Sequence, residues 1–172
     1  MLKCLDDIED AYTILKEAFP VSELRTYENL NWLHQQKIIE FYGYYDQTLK
    51  GVMLLWRDET YVFIENFAVA NTARGMGIGS KMLNEVCTLF HGKKILLEVE
   101  KPYDQLSTRR IEFYKRNGFI LSNYGYMQPK INKEVNAIPL LLMAYRQDIK
   151  KCEFDKIMNS IYELVYLKYK MD

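Results

Sequence analysis

The chain is poor in the residues that staple a fold. Of 172 residues only three are cysteine (Cys4, Cys87 and Cys152), an odd and widely spaced set without a CxxC pair, so no disulfide framework is written into it. Two histidines are too few to join them in a zinc set, and no metal is expected. No repeat, low-complexity tract or Pro/Gly/Ser linker interrupts the sequence, which leaves one domain over residues 1–172 as the expectation. The charge of one sign that nucleic-acid binders carry is missing as well: 23 Lys and Arg face 23 Asp and Glu. No apolar run approaches the roughly 20 residues that span a bilayer, the longest being Ile138 to Tyr145. The opening MLKCLDDIED turns acidic by Asp6 and has no apolar h-region. The expectation is therefore a cytoplasmic protein in a reducing compartment, with neither nucleic acid nor membrane as partner.

What is present is a chain long enough to bury roughly 70% of its unfolded surface, rich in tyrosine, with 14. Apolar spacing predicts a short strand at Leu2 to Leu5 and a helix from Asp7 to Phe19, stopped by Pro20. A second helix, Glu23 to Gln35, takes Ser22 as its N-cap. From Ile38 the period changes to that of an antiparallel meander: Ile38 to Tyr45, Gly51 to Arg57 and Tyr61 to Ala70. A helix at Ile78 to Phe90 and a strand at Ile95 to Glu100 follow, a strand–helix–strand order that implies a right-handed parallel crossover. Ser107 is read as the cap of a helix ending at Asn117 and Gly118; a strand from Phe119, a polar stretch, a last strand from Ile138 to Tyr145 and a final helix over about 153–170 complete the chain. The apolar stripe of that helix, Phe154, Ile157, Met158, Ile161, Leu164, Val165 and Leu167/Lys168, suits either self-association as a homodimer or packing on its own sheet. The fold class is α+β (α/β three-layer).

The most informative stretch is ENFAVANTARGMGIGS, Glu65 to Ser80, where a strand runs into a glycine-rich turn that opens an amphipathic helix. Gly75, Gly77 and Gly79 remove side chains where a backbone must approach an anion, first-turn N–H groups point outward with the helix dipole behind them, and Arg74 adds a charge at the rim. A dinucleotide fold would need a third glycine where Ser80 stands, and antiparallel strands precede the turn. A P-loop would need GxxxxGK followed by Ser or Thr, and neither Ser80 nor Lys81 has that offset.

Arg74, Gly77 and Gly79 resemble the RxxGxG signature of the GCN5-related N-acetyltransferases (GNAT), and Phe67, Ala68 and Val69 resemble the strand before it. IEFYKRNGF, Ile111 to Phe119, resembles the later helix motif of the same family, in which a tyrosine precedes a glycine–aromatic pair. The resemblance covers about Ile38 to Tyr145. It implies a mixed, largely antiparallel sheet, splayed between its fourth and fifth strands and flanked by helices, with the C-terminal helix as an extra. Acetyl-CoA is implied as co-substrate: the backbone of Gly75, Met76, Gly77, Ile78, Gly79 and Ser80 would take the pyrophosphate and Phe67 to Val69 the pantetheine amides.

By the same resemblance Tyr114 is the general acid toward the coenzyme sulfur, and a phenol with a pKa near 10 is protonated at neutral pH. Glu98, in LLEVE, is similar to the base of the peptide N-terminal acetyltransferase branch. Strand alternation sets Leu96, Glu98 and Glu100 on one face; Glu65 on the preceding strand is the rival base. The choice among the carboxylates, or a water relay, stays open. Ser107 stands where many members carry an asparagine that touches the coenzyme, and Arg110 replaces a customary alanine; the loop Lys101 to Leu106 is longer than in the peptide-acetylating branch, which implies a different substrate. The acceptor, a small-molecule or peptide amine, would be walled by Tyr103, Tyr124 and Tyr126, with Glu100 beside them. The expected function is N-acetyltransfer, with a non-catalytic acyl-CoA-binding module as the alternative.

Overall fold

Residues 1–129 and 137–168 are described by the computed structural model of the chain, Ser22 by its backbone alone. Seven strands form one open, mixed and mostly antiparallel sheet in the order β1-β2-β3-β4-β5-β7-β6. By its contacts the chain divides into two compact units, the first ending at Ile95 and the second beginning at Leu96, so β5 runs across the division.

The first unit is built on β1 (Leu2–Cys4), β2 (Ile39–Asp46), β3 (Thr48–Arg57) and β4 (Tyr61–Val69), each antiparallel to the next. Residues Val52 to Trp56 of β3 are buried without alternation, the mark of a strand covered on both faces. Helix α1 (Glu9–Ala18) lies on β3 and β4, α2 (Tyr27–Gln35) on β2, and α3 (Ile78–Leu89) on β1, β3 and β4. A Cβ on Gly51 would lie 2.6 Å from the Met82 sulfur, so α3 seats against β3 only because that position has no side chain.

The second helix starts later than its apolar spacing predicts, and Ser22 is not its cap. After Pro20 the chain makes one 3₁₀ turn, Val21–Glu23, then extends through Leu24, and Thr26 becomes the N-cap by accepting from the Asn29 N–H at 3.3 Å. The reason lies in Arg25, which is drawn inward to an acidic partner described below.

The second unit carries most of β5 (Lys94–Glu100), then α4 (Gln105–Arg116), β6 (Phe119–Gln128), β7 (Ile138–Tyr145) and α5 (Lys151–Ile161). β7 pairs antiparallel with β5 on one side and β6 on the other. The strand expected from Phe119 runs on as far as Gln128 and so takes in part of the polar stretch that follows it, interrupted by a bulge between Leu121 and Gly125 in which Ser122 Oγ accepts from the Tyr124 N–H at 3.1 Å. Ser107 does not cap α4: Asp104 does. Asp104 accepts from the Ser107 N–H at 2.7 Å while Ser107 Oγ accepts from the Asp104 N–H at 3.1 Å, a complete capping box.

The apolar stripe of α5 is covered by its own sheet, with Phe154 against the rings of Tyr124 and Tyr126 at centroid distances of 5.4 and 6.3 Å. Beyond Ile161 the helix widens into a π-helical segment, Tyr162–Leu167, closed by Lys168 N–H to Glu163 O at 2.9 Å. The extra residue in that turn rotates the following side chains: Val165 and Tyr166 are buried, whereas Leu167, placed on the stripe by regular spacing, is 60% exposed. Residues 169 and 170 of the expected helix lie outside the described residues. Among the described residues no helix is long and apolar enough to cross a membrane, and no cluster of His, Cys, Asp and Glu is placed to hold a metal ion.

Truncating a buried aromatic typically costs about 3–5 kcal/mol. Phe154→Ala is therefore expected to lower stability by about 3 kcal/mol in urea denaturation; a loss below about 1 kcal/mol would show that α5 is not seated on β6.

Candidate active site

In the first unit, β4 leads through a 3₁₀ turn, Asn71–Ala73, into the glycine stretch and then α3. Gly75 and Gly77 have φ of +79° and +73°, the left-handed region that suits glycine, and a Cβ at either would meet nothing within 4 Å. The glycines therefore serve the backbone path, and the space over the turn is open. The first turn of α3 contains no acidic residue and no side-chain cap. Its first helical bond is Lys81 N–H to Gly77 O at 3.1 Å, so the amides of Ile78, Gly79 and Ser80 lie ahead of the ladder at the positive end of the dipole. Arg74 is exposed at the rim, its Nε 3.4 Å from Val69 O. An open backbone, outward amides and a guanidinium fit the pyrophosphate of a coenzyme, with the strand residues Phe67, Ala68 and Val69 immediately upstream.

Glu65 sits where β4 bulges: Leu54 pairs with Asn66 and Leu55 with Ile64, leaving Glu65 as the extra residue. Its side chain is 5% exposed and makes an ion pair with Arg25 Nε at 3.0 Å, while its other oxygen accepts from Trp56 Nε1 at 2.5 Å. The Arg25 guanidinium also lies 5.5 Å from the Trp56 ring centroid. Neither Arg25 nor Trp56 is singled out by the sequence, since no local spacing links either of them to Glu65.

In the second unit, Glu98 and Glu100 share a face of β5. Glu98 pairs across the ladder with Leu142, and Glu100 with Leu140, which in turn pairs with Tyr126 of β6. Glu98 Oε2 accepts from the Tyr166 hydroxyl at 2.7 Å and lies 3.5 Å from Gln128 Nε2. The buried Tyr126 hydroxyl has its pKa pushed well above 10, first by burial and then by the Glu98 charge. Glu100 stands nearer solvent and pairs with Arg110 at 3.3 Å.

Tyr114, on α4, is 8% exposed and touches Phe119, its ring centroid 5.9 Å away. Phe119 pairs with Tyr145, which places it on the face of Leu97 and Met143, opposite to the Glu98 face. Burial pushes the Tyr114 phenol up to about 12, against a smaller downward pull from Arg110. Ser107, expected at the coenzyme, has its hydroxyl committed to Asp104, to which it donates at 2.7 Å. Of the expected acceptor walls, Tyr103 is 71% exposed beside a cleft of about 390 Å³ lined by Pro102, Asp104, Gln105, Thr108 and Arg109. Tyr124 and Tyr126 instead lie against α5 through Phe154. Of the connection between β6 and β7, residues 130–136 lie outside the described residues.

The model of the acetyltransferase (GNAT) family matches residues 5–119. The chain is similar to the "Putative acetyltransferase YjbC" of Bacillus subtilis (strain 168), 26% identical over 160 residues that cover 90% of this chain and 80% of that protein. In fold it is similar to the "Putative acetyltransferase from GNAT family" of Bacteroides thetaiotaomicron, with a TM-score of 0.89 at 25% identity over 97% of this chain and 98% of that one. A GNAT acetyltransferase of Elizabethkingia anophelis, solved with acetyl-CoA bound, shares the fold at a TM-score of 0.59 and 19% identity over 86% of this chain and 97% of that one.

Breaking a buried ion pair by removing one partner costs about 3–5 kcal/mol. Arg25→Met is expected to lower the urea stability by about that amount, and Arg25→Met with Glu65→Leu to recover part of the loss. A single variant as stable as the parent would show that the pair carries no weight in the fold.

Proposed function

Because the chain belongs to the GNAT acetyltransferase family, we propose that it transfers an acetyl group from acetyl-CoA directly to a primary amine of a small molecule or peptide. The observation that carries the coenzyme half is the open turn at Gly75 to Ser80, with its outward amides and positive-φ glycines. The backbone there takes the pyrophosphate, Arg74 adds its charge at the rim, and the strand at Phe67 to Val69 pairs with the pantetheine amides. When bound, the coenzyme supplies the activated acyl carbon.

The remaining chemistry falls to side chains. A protonated amine must lose a proton before it can attack, and Glu98 takes it. It accepts from the Tyr166 hydroxyl and lies within reach of the Gln128 amide, whereas the Glu65 carboxylate is already matched by the Arg25 guanidinium. Glu65 accordingly holds the β4 bulge rather than a proton in transit. As the C–N bond forms and the C–S bond breaks, Tyr114 gives its proton to the thiolate. Of the two protons the nitrogen sheds, one returns to Tyr114 and the other leaves to solvent by way of Glu98. A phenol held near 12 remains an acid throughout the neutral range.

Proton transfer by a placed group is typically worth 10²-fold or more. In a thiol-release assay with acetyl-CoA and a panel of amines, Tyr114→Phe is expected to lose at least about tenfold in turnover and Glu98→Gln about a hundredfold near neutral pH. Turnover unchanged in both variants would contradict the assigned roles. Acetyl-CoA should stabilise the protein against heat under either reading, so catalysis discriminates: acetylation of any amine on the panel defeats the non-catalytic binder, and a silent panel leaves it standing.

A further inference from the structure

We propose that the C-terminal helix is a working part of the transfer site, with Tyr166 a positioning residue that keeps the Glu98 carboxylate ionised and oriented through its hydroxyl. The inference rests on the reading of Glu98 as base.

Three observations carry it. The first is the bond itself, Tyr166 hydroxyl to Glu98 Oε2 at 2.7 Å, made by a side chain only 2% exposed. The second is how the hydroxyl is aimed: Gln128 Nε2 donates to the Tyr166 oxygen at 2.9 Å, so the phenolic hydrogen is left to point at the carboxylate. The third is the backbone that brings Tyr166 there. The stripe Phe154, Ile157, Met158 and Ile161 continues in a regular helix to positions 164, 165 and 168, and Tyr166 falls on the stripe only because the segment widens to i→i+5 bonding. Such widened turns give up regular helical bonding and persist where a side chain must be re-aimed.

Packing alone accounts for the ring and leaves the hydroxyl unexplained. Among the described residues, the groups that face Glu98 include Tyr126 and Gln128 from β6, Tyr162 and Tyr166 from the widened segment, and Leu142 opposite it on β7. Burial among phenols and an aliphatic side chain raises the proton affinity of a carboxylate, and a donated hydrogen bond opposes that rise. Tyr162 reaches elsewhere, donating to Met127 O at 2.8 Å, so it fastens the segment to β6 without bonding the carboxylate. The family match ends at residue 119, so all of these contacts except Glu98 itself come from the part of the chain beyond it.

The test is the pH profile of kcat/KM together with a direct titration of Glu98 by carboxylate NMR on protein labelled with ¹³C at glutamate. Hydrogen bonds to a charged group are worth enough that losing one moves a pKa by roughly one unit. Tyr166→Phe removes a bond to the ionised form, so the Glu98 titration and the acid limb should both move up by about that amount, with the KM for acetyl-CoA unchanged. Gln128→Met, which loses the amide that orients the phenol, should shift both in the same direction and serves if Tyr166→Phe folds poorly. Tyr162→Phe should loosen the segment yet leave the acid limb in place. An unshifted titration in Tyr166→Phe and Gln128→Met, with Glu98→Gln inactive, overturns the positioning role alone. Full activity in Glu98→Gln removes the base, and this inference with it.

Discussion

A carboxylate that a fold draws out of water must be given hydrogen-bond donors in return, and the second unit is organised around that requirement at Glu98. β5 sets the side chain on the face that α5 covers, where leaving it without donors would be costly. The donors come from far along the chain: Gln128 at the end of β6 and Tyr166 from the widened helical segment. The aromatic layer formed by Tyr124, Tyr126, Phe154 and Tyr162 then excludes solvent around them. The C-terminal helix thus completes a sheet face and, by the same contacts, sets the environment of the proposed base.

The first unit solves the same problem at Glu65 by a different route. There the donor is a guanidinium, supported by the Trp56 indole, and the match of charge makes a fixed strut rather than a titrating group. That strut has consequences for the chain path. It pulls Arg25 inward, postpones the second helix to Tyr27, and pins the bulge in β4, the strand that leads to the glycine turn. The turn itself asks little of the surrounding charge. Backbone amides and a helix dipole act over a few ångströms, so a chain of zero net charge is compatible with holding a polyanionic coenzyme.

The features legible in the sequence were those carried by local rules. Alternation marked the meander, the glycines marked the turn, and two short motifs in order named the family. The boundary of β7, Ile138 to Tyr145, is what a continuous apolar run bounded by polar residues predicts. What escaped was decided at long range. Ser22 and Ser107 both look like caps, yet Thr26 and Asp104 take those places, in the first case because Arg25 is claimed by a residue forty positions away. The polar run after Leu121 became strand because β7 pairs with it and Phe154 covers its tyrosines. Tyr166 could not be read as a contact to Glu98, since a helical period of 3.6 turns it off the buried stripe, and a π-helical turn leaves no pattern in a single sequence.

The central claim is direct transfer, in which acid and base serve the coenzyme and the amine without the protein carrying the acetyl group. It is tested most directly by following the acetyl label itself. Protein incubated with acetyl-labelled acetyl-CoA, first alone and then with the amine it accepts, should retain no label on its own side chains, and should then yield acetylated amine and free thiol in equal amounts. Label captured on the protein before the amine is added, and passed on afterwards, would contradict the account.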